Sequence, residues 1–250
     1  MRLFIILLIF LSSCASKKDI LLIQDSSSSE DYSFIFEDII VKPDDILRIK
    51  ISSNYVNIES IFSTQQSENS ASSILAYQIE GYLVNSEGFI NIPILDFVFV
   101  ENLTPNQVAQ KIKNLLNEQG VLKNASVDVK IINSYFTVLG EVNLPGRYTF
   151  LENNMSIFQA LGMAGDLTIN GKRDDIKIVS NRNGNTNVIS VDLTSSELLS
   201  SKAFQIFPGD TIIVNANNAR VKNAGVVGDF GNLLTALSFI LSSIILITNN

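Results

Sequence analysis

The chain alternates short runs of period-two hydrophobicity with two stretches of helical period. Pro43-Asp44-Asp45 is followed by Ile46, Leu47, Arg48, Ile49, Lys50 and Ile51, a turn feeding a strand whose later half alternates apolar with basic. A second copy of this plan, Phe207-Pro208-Gly209-Asp210 running into Thr211-Ile212-Ile213-Val214, stands near the other end and predicts two related turn-strand units. Between them, Ser86-Glu87-Gly88 predicts a turn joining strands around Tyr82 to Val84 and Phe89 to Ile92. Thr104, Pro105 and Gln107 form a helix start, with threonine as N-cap, proline at the first helical position and glutamine completing a capping box. Val108, Ile112, Leu115 and Leu116 then share one face, so this helix should lie on a sheet and stop at Gly120.

Val127, Val129 and Ile131 alternate as a further strand. The run from Phe136 to Phe150 reads as two strands joined by a turn at Asn143 to Gly146, with Pro145 and Gly146 as its turn residues. Ser156-Ile157-Phe158-Gln159 is another capping box and opens a short helix ending near Gly165. Ile176 to Val179 should pair with Val188 to Val191 through a turn at Asn183-Gly184. A hairpin, a short helix and another hairpin is the plan of a β-grasp unit.

The ends differ from the middle. Met1-Arg2, an apolar run from Leu3 to Leu11 and then Ser12-Ser13-Cys14 have the n-region and short h-region of a secretory signal, too short to remain as a membrane span. The tetrad L-S-S-C resembles a lipobox, which makes Cys14 the lipidated first residue of the mature chain. No Asp follows the cysteine, so the expected destination is the periplasmic leaflet of the outer membrane. Residues 24 to 31, QDSSSSED, read as a polar spacer, and residues 63 to 73 as a polar loop. At the C-terminus, Leu233 to Ile247 carries no charge and would make a helix about 22 Å long, with Thr235, Ser238 and Ser242 as a polar stripe for a pore or for helix packing. Gly225, Gly228 and Gly231 before it read as a hinge.

Composition removes several chemistries. The chain has no histidine, one cysteine and no tryptophan, which excludes the common zinc sites, Ser-His-Asp and Cys-His catalysis and an internal disulfide. A net charge of -7 leaves no basic surface for nucleic acid. Asp44 with Asp45, or Asp174 with Asp175, could be read as a glycosidase acid and base, yet both pairs stand beside turn signals, where solvated aspartates are common. Tyr77, Tyr82, Tyr135 and Tyr148 are candidates for sugar contact or equally for the core.

The order of lipobox, PDDILRI, EGFINIPIL with LTPNQVAQKI, VLGEVNLPGRY with SIFQALGMAGD, and FPGDTIIV resembles the bacterial outer-membrane polysaccharide-export (Wza-like) lipoproteins. The resemblance implies an α+β fold: a signal peptide at 1–13, a lipidated N-terminus and linker at 14–36, a polysaccharide export domain at 37–133, a soluble-ligand-binding β-grasp (SLBB) domain at 134–216, a hinge at 217–232 and a C-terminal transmembrane helix at 233–248. It departs from the family in carrying Asp44 where the first turn usually has glycine, and in showing one clear β-grasp unit where longer members carry two.

What the resemblance implies functionally is a homo-oligomeric ring without catalytic residues, cofactor or metal. The ring would pass a capsular polysaccharide or exopolysaccharide from an inner-membrane co-polymerase of the tyrosine-kinase type or similar. It would sit lipid-anchored in the outer membrane with its body in the periplasm. The competing expectation is a non-channel lipoprotein, an adaptor or scaffold whose β-grasp domain binds sugar.

Overall fold

The computed structural model describes residues 20–26, 31–52, 81–122, 124–182, 184–217 and 230–248. The fold is α+β. In the N-terminal half, β1 (Ile46–Ser52) pairs antiparallel with β2 (Tyr82–Leu83) on one side and β5 (Ser126–Ile131) on the other. The register sets Leu47 opposite Ile131 and Ile49 opposite Val129. This alternation puts Leu47, Ile51, Val129 and Ile131 into the core while Arg48 and Lys50 stay in solvent. A hairpin of β3 (Phe89–Ile92) and β4 (Asp96–Phe99) follows the predicted turn.

Helix α1 (Pro105–Glu118) begins as the sequence predicts: Thr104 Oγ1 accepts from the Gln107 N–H at 3.2 Å, and Gln107 Oε1 accepts from the Thr104 N–H at 2.8 Å. Val108, Ile112 and Leu116 are fully buried, and Leu115 packs at the margin.

The C-terminal half is one five-stranded sheet in the order β10-β9-β12-β6-β7, built from β6 (Tyr135–Gly140), β7 (Gly146–Thr149), β9 (Gly171–Arg182), β10 (Asn185–Val191) and β12 (Thr211–Ala216). β12 runs parallel to β6 and antiparallel to β9, so the last strand enters the middle of the sheet. This is the β-grasp arrangement, with α2 (Ile157–Met163) packed beside it and the minor pair β8 (Met155–Ser156) and β11 (Gln205–Ile206) at its edge. The β9–β10 register is the predicted one, Val179 opposite Val188 and Ile176 opposite Val191; Asn183 lies outside the described residues. Buried apolar side chains of both halves form one continuous cluster.

Three expectations are corrected. Of the expected spacer 24–31, residues 27–30 lie outside the described residues and 24–26 are not free: the N–H of Ile23 donates to Leu193 O at 3.0 Å, that of Gln24 donates to Thr194 O at 2.7 Å, and Asp25 accepts from the Ser196 N–H at 2.6 Å. These bonds make residues 23–26 a strap, because Asp25 supplies the acceptor for the first N–H of a 3₁₀ turn (Ser196–Ser200) while the two backbone bonds satisfy the carbonyls just before it. Asp174 and Asp175 lie within β9, not beside a turn. Asp175 is held by Lys177 at 2.6 Å and Lys172 at 3.5 Å, and the Lys177 ammonium, with the Ser190 hydroxyl, holds its carboxyl down at about 2. Finally, Gly231 belongs to helix α3 (Phe230–Thr248) and not to a hinge; Gly225 and Gly228 lie outside the described residues.

α3 starts three residues earlier than the sequence suggests, spans 19 residues and carries no charge. Among the described residues no helix is long and apolar enough to cross a membrane. Leu234, Phe239, Ile245, Leu246 and Ile247 are exposed on the single chain.

Gly140 is where the central pairing is tightest. Its φ is +92°, and a Cβ there would land on the Val214 carbonyl in the neighbouring strand. Gly140→Ala should therefore part β6 from β12 and lower stability by about 2 kcal/mol or more. Urea unfolding of the two proteins checks this; an unchanged midpoint would show that the sheet absorbs the extra carbon.

Candidate functional site

The two related turns meet in one place. In each, a proline precedes a residue of positive φ, Asp44 at +70° and Gly209 at +88°, and an aspartate closes the turn. Asp45 N–H donates to Lys42 O at 3.2 Å while its carboxylate accepts from the Lys42 N–H at 2.8 Å. Asp210 repeats both bonds on Phe207, at 3.1 and 2.9 Å. Asp44 thus holds the left-handed conformation that glycine supplies in the second turn; aspartate is among the few side chains that tolerate it.

The turns border a cleft of about 700 Å³ between the halves of the molecule, closed at its base by the 133–135 connection. Asn133 ties this connection to the first turn, its Oδ1 accepting from the Ile46 N–H and its Nδ2 donating to Asp44 O, both at 2.9 Å. Tyr135 O accepts from the Gly209 N–H at 2.7 Å and ties it to the second. Arg182, at the end of β9, lies over the Phe207 ring at 3.7 Å, and Arg147 lies over Tyr135 at 3.4 Å. A neighbouring cavity of about 370 Å³ shares Glu37, Arg182 and Phe207 with the cleft.

Burial dominates the electrostatics at the base. It pushes the Asp45 carboxyl up to about 6, against the Lys42 N–H and ammonium, which favour the anion. Burial also raises Asp210, opposed by the Ser180 hydroxyl, the Phe207 N–H and the charges of Arg182 and Lys42. Each carboxylate accepts a backbone N–H of its own turn.

The N-terminal segment reaches this region too. Phe34 and Phe36 pack on Phe204 with ring centroids at 5.3 and 6.0 Å, and Glu37 exchanges backbone bonds with the buried Gln205 amide, both at 2.8 Å.

Residues 36–132 match the family of polysaccharide biosynthesis/export proteins, and residues 135–191 match the SLBB domain. This chain belongs to the polysaccharide biosynthesis/export family. The SLBB match ends at Val191, while the β-grasp sheet is completed by β12, so the family's second domain here extends in space to Ala216. No curated protein matches the chain.

Of the residues singled out in the sequence, Pro43, Asp45, Pro208 and Gly209 line the interdomain cleft, and Asp210 closes the second turn behind it. Pro145 and Gly146 lie away from it, at the β6–β7 turn, where Tyr148 donates its hydroxyl to Leu144 O and stacks on Phe136. Tyr135 lines the cleft; Tyr82 is half-buried against the core, which raises its hydroxyl's pKa; Tyr77 and Cys14 lie outside the described residues. On α3 the hydroxyls bond back to the helix: Thr235 to Gly231 O at 3.0 Å, Ser238 to Thr235 O and Ser242 to Ser238 O, both at 2.8 Å. The stripe therefore needs no water to satisfy its donors. Arg182 and Gln205 escaped the sequence reading, because a lone arginine at a hairpin and a glutamine before a turn carry no local signal.

The Asp45 carboxyl has a measurable signature. Its folded pKa lies above the ordinary value near 3.8, so the folded state keeps the proton longer than the unfolded chain, and this residue's contribution to stability falls as pH rises from about 4 to about 6 and stays low above that. Asp45→Asn keeps an acceptor for Lys42 but cannot ionise. Relative to the parent, the variant should gain up to about 2–3 kcal/mol between pH 4 and pH 7.5, read from urea midpoints. An identical difference at both pH values would contradict the burial argument.

Proposed function

We propose that this protein is an outer-membrane lipoprotein that assembles into a homo-oligomeric ring and conducts capsular polysaccharide or exopolysaccharide across the periplasm and outer membrane. Membership of the export family supports the transport role, and the observation that carries the conduit reading is α3. It is an uncharged helix of 19 residues, about 28 Å long, whose large apolar side chains stand exposed on one copy. A single α3 is not long and apolar enough to cross a membrane, so the reading requires several copies side by side, burying the Thr235, Ser238 and Ser242 face among themselves and turning the larger residues to lipid.

The course of the chain supports the same arrangement. The strap holds Ile23 to Ser26 against the β-grasp domain, and the proposed lipid attachment at Cys14 is six residues before Ile20, a reach of at most about 21 Å. At the other end the Asn217 N–H donates to Asn170 O at 2.7 Å before the chain leaves for α3. Both proposed membrane attachments would then depart from the β-grasp domain, an arrangement that supports an export domain turned toward an inner-membrane co-polymerase. The ring acts by enclosing a path; the paired aspartates are committed to turns and to a strand ion pair.

Electron microscopy of the detergent-extracted, lipidated, full-length protein tests this. Closed rings bearing an ordered helical collar are expected. Monomers that keep the folded β-rich body would overturn the conduit and favour an adaptor lipoprotein.

A further inference from the structure

The cleft between the two domains is lined by an arginine whose side chain makes no ion pair or hydrogen bond among the described residues. Arg182 lies over Phe207 at 3.7 Å, half-buried, with its Nε buried and without an acceptor there. Asp210 feels its charge, and each oxygen of that carboxylate already accepts one bond, from the Ser180 hydroxyl and from the Phe207 N–H. A guanidinium has five donors in a planar fork, and leaving a buried one such as Nε unpaired is costly. The group that best completes such a fork is a carboxylate.

The surroundings suit a sugar ring carrying that carboxylate. Tyr135 and Phe207 both face the cleft as aromatic surfaces, each backed by an arginine. Asn181, one residue before Arg182 and exposed, offers an amide for ring hydroxyls. The volume, about 700 Å³ beside a second cavity of about 370 Å³ that shares Glu37, Arg182 and Phe207, admits more than one sugar unit. Opposing charges are present: Glu37 is offset by Lys202 at 3.6 Å, whereas Asp38, Asp44 and Asp45 line the cleft with Lys42 and Arg182. The lining therefore leans negative, and an acidic ligand is held there only through direct bonds to Arg182.

We propose that this cleft is a weak binding site for a carboxylate-bearing saccharide, a uronic-acid unit whose carboxylate pairs with Arg182 and whose ring stacks on Tyr135 or Phe207. The inference rests on the polysaccharide-export reading for its choice of ligand class. Weakness is what a path for a moving polymer requires, since a unit held tightly would stall the chain.

The test is titration of the full-length detergent-solubilised protein with trigalacturonate, maltotriose and acetate by calorimetry and NMR. Trigalacturonate should bind, with maltotriose and acetate each at least about tenfold weaker. Arg182→Ala should weaken trigalacturonate binding about tenfold or more, and Arg182→Lys, which keeps the charge without the fork, should fall between. Phe207→Leu supplies a second variant that leaves the arginine in place and should also weaken binding, and thermal unfolding of all three variants confirms that they fold. Equal binding of trigalacturonate and maltotriose, binding unaffected by Arg182→Ala in a folded protein, or acetate as strong as trigalacturonate would each overturn the site. Polymer export in a strain lacking the protein is scored separately. Lost export without trigalacturonate binding removes the site and leaves the transport role, whereas normal export with Arg182-dependent binding removes the transport role and leaves the site.

Discussion

The parallel pairing of β12 with β6 is the contact on which the rest of the molecule depends. β12 comes last among the strands yet occupies the centre of the β-grasp sheet, hydrogen-bonded on one side to β6 and on the other to β9. Parallel neighbours cannot be joined by a tight turn, so a long excursion from Gly140 to Thr211 must return before the sheet can close. That return carries α2, the β9–β10 hairpin, the 3₁₀ turns and β11. Ile212 and Val214 then pack fully buried beside Val138 and Ile176, which makes the last strand the one that seals the core.

Closure of this sheet also builds the cleft. The Phe207–Asp210 turn delivers β12, and its Gly209 N–H reaches Tyr135 O at the start of β6; the same few residues therefore begin both central strands and form one wall of the opening. The opposite wall is the Lys42–Asp45 turn, held by Asn133 from the short connection between the domains. The two turns are alike in conformation and in how the closing aspartate caps them, and both closing carboxyls are partly desolvated, Asp45 in the lining of the cleft itself. Residues 23–26 and 34–37 each lie against the β-grasp domain, joined to it through Asp25 and through the Gln205 amide.

Local chemistry was readable without coordinates wherever one segment contained all its own partners. Both capping boxes, the β9–β10 register, the burial of Val108, Ile112 and Leu116, and the turn at Ser86 to Gly88 follow from spacings of a few residues. The family resemblance was also legible, since the order of short motifs survives in the chain as linear text. The misreadings share one cause. QDSSSSED looks like a spacer because its composition cannot make a core, but Asp25 needs only one partner, the Ser196 N–H, and that partner lies 171 residues away. Asp174 and Asp175 look like turn residues until Lys172, Lys177 and Ser190 are seen around Asp175 on neighbouring positions of the hairpin.

By itself, then, the amino-acid sequence determined the elements, their caps, the repeated turn-strand unit and the family, because each depends on residue type at short separation. Only the tertiary structure decided that the two turns border one cleft, that Arg182 lies over Phe207 with no carboxylate bonded to it among the described residues, and that the strap binds the β-grasp domain. Those facts depend on which distant surfaces the central strand pairing brings together. A hydrogen bond or an unpaired charge acquires meaning only once its neighbours in space are known.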